Sequence, residues 1–469
     1  MAEAKVNERP RRVEPAKENP PKKSGQDYKF SAGKTRRPSQ NVKAAQHVTA
    51  VSSIDEKRLA RRESRALREY RKEEAWQNEV VRVRGGIDVF MLAIILILLA
   101  LGSITVFSAS YPRAIAADVG SGFYIKKQLG YLGVGFVIMA VAAWFPIRLY
   151  RNWAPHLFYF GSAVILAVVP FIGESVGEAT RWIQVGPVRV QPSELMKVGV
   201  ILMVAWFVEK TEDKMNDLGR GFKSYLSNTF YPLLFVGIAS ALVLAGKHLS
   251  GAAIVAGIGV LMLAVGGSKN LWLWGSVAPV GIGAFLLYLS QNPYAFKRFN
   301  TFNDENADIL SDVWQTTQSV YAIGSGGLFG KCFGQSQQKY GFLGNAHTDF
   351  IFSVWCEELG FVGAVALILL FLLFIWRGYV IALRAPDKFM MLTAFGITTH
   401  IGIQAFLNMA VASDMIFNTG VTLPFFSYGG SALMVLMGEV GILLCISRQY
   451  YRKKSDIEHE EMLKKAGLE

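Results

Sequence analysis

Residues 88–108 read DVFMLAIILILLALGSITVFS. From Val89 to Ser108 no side chain is charged, and about 20 apolar residues in a helix cross roughly 30 Å of hydrocarbon. This stretch therefore predicts a membrane span. Nine further apolar blocks follow it, near 128–146, 154–173, 193–208, 229–246, 250–267, 271–290, 350–376, 389–411 and 427–447. The pattern predicts an all-α polytopic membrane protein with ten transmembrane helices. Composition agrees. Of the 469 residues 52% are hydrophobic and only 18% charged, against about 25% in soluble domains. That balance excludes an ordinary soluble enzyme and a disordered chain, and three cysteines exclude a disulfide scaffold.

Residues 1–86 hold 22 Lys and Arg against 12 Asp and Glu, which is +10 of the chain's formal +13. Residues 1–53 are rich in Pro, Lys, Arg, Ser and Gln and are expected to be a disordered basic tail. Residues 54–86 are expected to form a charged juxtamembrane helix, with opposite charges recurring three or four apart. A basic arm suits either nucleic acid or anionic membrane lipid. Lipid is the expected partner and nucleic acid is not. The first apolar stretch begins near Ile87, so no signal peptide is expected. Residues 87–448 form the membrane domain, and 449–469 a C-terminal tail.

Lys and Arg are denser on one side. If the N-terminus is cytoplasmic, that side receives Arg148, Arg151, Lys210, Lys214, Arg220, Lys223, Lys269, Arg377, Arg384, Lys388 and the terminal RQYYRKK. Ten spans return the C-terminus to the cytoplasm. A large extracytoplasmic loop, 291–349, then lies between helices 7 and 8, and a shorter one at 174–192. Loops of such length are usually functional.

No P-loop, dinucleotide fingerprint, Cys/His cluster or GxSxG elbow is present. The glycine-rich GSGGLFG at 324–330 lacks the flanking residues of a phosphate loop and reads as a flexible or tightly packed re-entrant turn. In ATRWIQVGPVRVQPSELMKVG, Pro192 and Ser193 suit a helix start. Glu194 and Lys197 share a helical face, as a structural pair or as part of a site. Arg181 lies just outside and suits an anion such as a diphosphate. Asp304, Glu305, Asp308 and Asp312 are either a solvated loop or the source of a general base. His347 and Asp349 suit a hydrogen-bonded pair at a helix start. Glu357 and Glu358 are expected to begin a transmembrane helix, where a carboxylate favours the positive end. TLPFFSYGGS, 422–431, reads as a re-entrant segment walling a groove.

Three motifs, ATRWI…QPSELMK, QSVYAIGSGGLFGKCFGQSQQKYGFL…HTDFIFSVWCEELGF and TGVTLPFFSYGGSAL, in that order resemble the SEDS family (shape, elongation, division and sporulation) over about residues 85–448. The long basic arm is closer to its cell-division members than to its elongation or sporulation members. The resemblance implies a peptidoglycan glycosyltransferase that polymerises lipid II at the outer face of the cytoplasmic membrane, at the division septum. It implies lipid II and the nascent glycan strand as substrates, with a class B penicillin-binding protein and other divisome proteins as partners. The family stretch DPxGxGYQxxQS appears here as DILSDVWQTTQS, 308–319. This puts Asp308 at the family's catalytic carboxylate as general base, with Asp312 as rival because the Pro and both Gly are absent.

The resemblance further implies substrate-binding roles for Arg181, Trp182, Glu194, Lys197, Lys127, Lys339, His347, Asp349, Glu358, Ser427, Gly429 and Gly430. A family LPEAHTDF appears as LGNAHTDF, with Asn345 for Glu, and PDLG appears as KHLS, with Lys247 and His248. Arg181, Lys197 and Lys127 or Lys339 would stabilise the leaving diphosphate. A divalent cation such as Mg or Mn is the candidate cofactor there, with no dedicated ligand set. A lipid II flippase and a scaffold for a penicillin-binding protein are the competing functions.

Overall fold

The structure, a computed structural model, describes residues 80–176, 179–186, 188–217, 229–268, 270–291 and 314–453, together with 455, 457 and 462. The basic tail 1–53, most of the juxtamembrane segment, and the acids Asp304, Glu305, Asp308 and Asp312 lie outside the described residues.

The described chain is mostly helical. In order come β1 (Val80–Arg84), α1 (Val89–Ala116), α2 (Phe123–Trp144), α3 (Ile147–Asn152), α4 (Ala154–Ile172), β2 (Glu174–Val176), β3 (Ala179–Val185), β4 (Val188–Val190), α5 (Pro192–Asp217), α6 (Tyr231–Ala245), α7 (Leu249–Val265), α8 (Asn270–Gln291), α9 (Trp314–Ser325), α10 (Ile351–Arg384), α11 (Lys388–Ala412), α12 (Gly430–Ser447) and β5 (Gln449–Lys453). Each apolar block contains a helix. Among the described residues six helices, α1, α2, α4, α10, α11 and α12, are long and apolar enough to cross a membrane. The chain is an integral membrane protein. Largely exposed apolar side chains such as Phe171, Leu157 and Leu383 on these helices are expected where the solvent is lipid.

The chain departs from an all-α reading in two places. Val80–Arg84, expected at the end of a helix, is a strand pairing antiparallel with Gln449–Lys453. Its sequence VVRVR is β-branched at three of five positions, and β-branched side chains pack well on a pleated surface. The loop 174–192 folds as a three-stranded antiparallel sheet, β2–β3–β4. Its last turn passes through Gly186 at φ 60°.

The core is a bundle in which α11 is central. It packs on α5, α7, α9, α10 and α12, while α2 packs along α12 and α4 along α5. Two aspartates do double duty at one end. Asp88 accepts from the Met91 amide at 2.9 Å and pairs with Arg377 at 2.7 Å. Asp387 accepts from the Met390 amide at 2.9 Å and pairs with Arg151, which also holds Glu209 at 3.1 Å. Each carboxylate thus caps a helix start and ties it to a neighbour.

The break in α10 determines the loop architecture. Gly360 sits at φ 66°, ψ −164°, which splits the helix. Glu357 and Glu358 therefore close a short first segment, rather than opening the span. The glycine-rich turn 326–330 inserts into this gap. Its carbonyls accept from the amides that open the second segment, Phe361 N–H to Gly327 O at 2.8 Å and Val362 N–H to Leu328 O at 3.1 Å. The Lys331 amide donates to the Glu357 carbonyl at 3.0 Å. The two orphaned helix ends are satisfied by one loop. A Cβ on Gly330 would lie 2.1 Å from the Glu358 carbonyl oxygen, so this turn is tightly packed.

Candidate active site

The segment 413–429, between α11 and α12, is the hub. From one side, the Asn408 amide nitrogen donates to the backbone carbonyls of Val421 and Asp349, both at 2.7 Å. Ser427 Oγ donates to Thr348 O at 2.6 Å and accepts from the Leu423 amide at 2.8 Å. The Tyr428 amide donates to His347 O at 2.9 Å. AHTDF is thus zipped along the hub by backbone and short polar groups. Ser427 acts through its hydroxyl as a strut, and Asp349 through its carbonyl. Gly429 is the N-cap of α12. At Gly430 a Cβ would meet the Tyr131 ring at 2.8 Å, so a side chain there is excluded.

His347 packs at tilted angles within a triad of rings with Tyr124 and Tyr428, centroids 5.2 to 5.7 Å apart. Burial, and then the positive charge of Arg113, push its imidazole down to about 4, so it is neutral at physiological pH. Burial and the neighbouring Tyr131 and Tyr124 push the Tyr428 phenol up to about 12. Lys127 on α2 is exposed, with its ammonium 4.3 Å from the ring of Phe123, which in turn meets Tyr124 edge-on at 5.4 Å.

Lys339 and Glu358 form a second cluster. Their side chains are 2% and 1% exposed and pair at 2.8 Å. The Lys339 ammonium has three protons and three acceptors: Glu358 Oε1, Ser108 Oγ at 2.8 Å and Gly334 O at 2.7 Å. Ser108 Oγ donates to the same carboxylate oxygen at 2.6 Å. The neighbouring Glu357 accepts from Lys331, Ser336 and the amides of Gln337 and Gln338, and so shapes the loop 331–339.

Glu194 and Lys197 form the third. They pair at 2.7 Å, buried. Lys197 also donates to Gln404 Oε1 at 2.9 Å. Ser193 and Gln191 contact His248 Nδ1 at 3.2 and 3.4 Å, so the histidine that stands where the family resemblance expects an acid is bound to the start of α5. Trp182 is half-buried on β3, which Arg181 shares. Beneath this hairpin lies an apolar cavity of about 340 Å³ lined by Val164, Ile165, Val168, Ile183, Val190, Pro192 and Leu195. Val164, Ile165 and Val168 are exposed on the outside of the bundle.

Sequence reasoning grouped these residues as one substrate site. The structure instead distributes them over three clusters, and in this conformation the Lys197 and Lys339 ammoniums are spent on protein acceptors. Ser108, Gln404 and Asn408 went unnoticed in the sequence because each is a polar residue within a largely apolar block, and Tyr124 because it lies just before one. Polarity inside a predicted span was the available signal. Asp308 and Asp312 lie outside the described residues, and α9 begins six positions after Asp308. Among the described residues no three His, Cys, Asp or Glu converge as a metal centre.

Residues 89–452 match the family model described as cell cycle protein, FtsW/RodA/SpoVE. The chain belongs to this family. A probable peptidoglycan glycosyltransferase FtsW from Geobacter sp. (strain M18) is 35% identical over 363 residues, covering 77% of this chain and 97% of that protein. Stage V sporulation protein E of Bacillus subtilis (strain 168) is 36% identical over 368 residues, with the same coverage. Among solved structures, a chain of a peptidoglycan synthase complex, studied for the coordination of polymerization and crosslinking, superposes with a TM-score of 0.63 at 26% identity, covering 77% of this chain and 98% of that one. The rod shape determining protein RodA of Thermus thermophilus gives 0.57 at 27% identity, covering 77% and 97%. FtsW/RodA/SpoVE relatives thus share both sequence and fold with residues 89–452.

Proposed function

We propose that this family member is a peptidoglycan glycosyltransferase that polymerises lipid II at the outer face of the cytoplasmic membrane during septal wall synthesis. The observation that carries this reading is the 35% identity to a probable peptidoglycan glycosyltransferase over nearly that protein's whole length. All ten helices that fill the apolar blocks are taken as spans, with both termini cytoplasmic. The hub, the hairpin 174–190 and the loops around α9 then share the outer side. The fold shared with a chain of a peptidoglycan synthase complex supports a crosslinking partner, a class B penicillin-binding protein within the divisome.

The chemistry is an inverting transfer. Asp308 takes the proton from the acceptor sugar hydroxyl, that oxygen attacks the anomeric carbon of the donor, and the polyprenyl diphosphate leaves. Lys127, exposed on α2, and Arg181 are the cations assigned to the leaving diphosphate. Lys197, Lys339, Glu194 and Glu358 hold the walls. The apolar cavity under the hairpin has the size and lining of a hydrocarbon site, which suits a lipid-linked substrate.

Polymerisation of lipid II by purified full-length protein with its penicillin-binding partner, transpeptidase blocked, tests this. Wild type is expected to make glycan, and Asp308→Asn to lose it while the complex stays intact. Loss in Asp312→Asn alone would move the base by four residues. An inactive wild type, in an assay validated with another polymerase, would favour the flippase or scaffold function.

A further inference from the structure

Deep in the bundle, α11 and α12 carry a fully buried pair that the proposed chemistry does not use. His400 Nδ1 lies 2.8 Å from Glu439 Oε2 and 3.1 Å from Oε1, and both residues are about 1% exposed or less. The other ring nitrogen, Nε2, lies 3.0 Å from Gln404 Oε1. The Gln404 amide can take only one orientation. Its nitrogen donates to Thr422 O at 3.2 Å, and its oxygen accepts from the Lys197 ammonium at 2.9 Å. A carbonyl oxygen and an ammonium have no complementary role to offer if the amide is flipped.

Gln404 Oε1 is therefore an acceptor, and His400 Nε2 must carry a proton to donate to it. Nδ1 faces a carboxylate. Either Nδ1 also carries a proton and Glu439 is ionised, or Nδ1 accepts from a protonated Glu439. Both arrangements hold one proton between the two groups, and both leave the pair neutral. The charged or titratable groups around it are Glu439 on α12 and, on α5, Lys197 and Glu194, the latter next to His248. Lys197 and Glu194 already neutralise one another.

A ring that did not donate from Nε2 would turn a lone pair towards the Gln404 oxygen, and the amide that holds Thr422 of the hub would be pushed aside. We propose that Glu439 orients the His400 ring with Nε2 as donor, and that the pair thereby positions the site loop 413–429 and Lys197 through Gln404. They are positioning residues, and the assignment to catalysis rests on the reading that this loop walls the substrate site.

The test compares wild type with Glu439→Gln, Glu439→Leu and His400→Phe, full-length. In Glu439→Gln the new amide donates to Nδ1, so Nε2 still donates to Gln404, whereas Glu439→Leu and His400→Phe break the chain of hydrogen bonds. Two readouts are taken: the lipid II polymerisation rate with the penicillin-binding partner, and the thermal midpoint of the protein alone in detergent. Glu439→Gln is expected to keep rate and midpoint close to wild type, while Glu439→Leu and His400→Phe lower both, the rate by about five- to tenfold for one lost positioning hydrogen bond. Glu439→Gln as impaired as Glu439→Leu in both readouts would overturn the proposal. If wild type makes no polymer, the functional reading fails, while the midpoints still decide whether Gln replaces Glu439 where Leu does not. Lowered midpoints with wild-type rates in Glu439→Leu and His400→Phe would overturn the link to the site.

Discussion

Replacing Lys339 by Met strands a carboxylate. Glu358 is 1% exposed, its Oε2 has no hydrogen-bond partner, and its Oε1 would keep only the Ser108 hydroxyl. Removing one partner of such a buried pair costs about 3–5 kcal/mol, because the remaining charge is left uncompensated. Glu358→Leu leaves the ammonium with Ser108 Oγ and Gly334 O and falls in the same range. The double variant Lys339→Met/Glu358→Leu removes both charges and leaves only two neutral groups short of a partner, about 1 kcal/mol each. The double variant should thus be destabilised by about 2 kcal/mol, less than either single one, a coupling well above 3 kcal/mol by difference. Thermal unfolding in detergent, followed by tryptophan fluorescence, reads this as a fall of about 8 °C for each single variant and about 4 °C for the double one, taking about 2 °C per kcal/mol for a large domain. Additive effects would refute the pairing argument. So would single variants that melt with wild type yet make no glycan, since these two side chains would then act directly on substrate.

Gly330→Ala puts a Cβ 2.1 Å from the Glu358 carbonyl at φ 80°, whereas Gly327→Ala at φ 55° meets nothing within 4 Å. The first is expected to cost at least about 3 kcal/mol, from backbone strain and overpacking, and the second about 1–2 kcal/mol from strain alone; equal melting points for the two would count against the loop-in-break packing. His347 has its pKa lowered to about 4, so the unfolded chain takes up this proton first as pH falls. Stability from this group is complete above about pH 6.5 and declines towards pH 4, by about 3 kcal/mol in all. His347→Gln should flatten that part of the melting-point profile, and an unchanged slope between pH 6.5 and 4 would refute the assignment.

The positions of the helices were legible in the sequence, because a membrane span must be apolar over its whole length and satisfy its own backbone. The blocks at 88–108, 389–411 and 427–447 became α1, α11 and α12 with ends shifted by only a few residues, apart from the C-terminal extension of α1 to Ala116. The three motifs announced the family for a similar reason: they are long, local and ordered. Three things were invisible. The break at Gly360 depends on a loop thirty residues earlier filling the gap. The strand 80–84 depends on a partner more than 360 residues away. The sharing of Lys339 among Ser108, Gly334 and Glu358 depends on three separate segments meeting. Hydrophobic length is a property of a segment, and so the sequence alone determined the membrane class and the helices. Whether a buried lysine is free for a substrate or committed to a carboxylate depends on what lies within 3 Å of its nitrogen, and only the tertiary structure decides that.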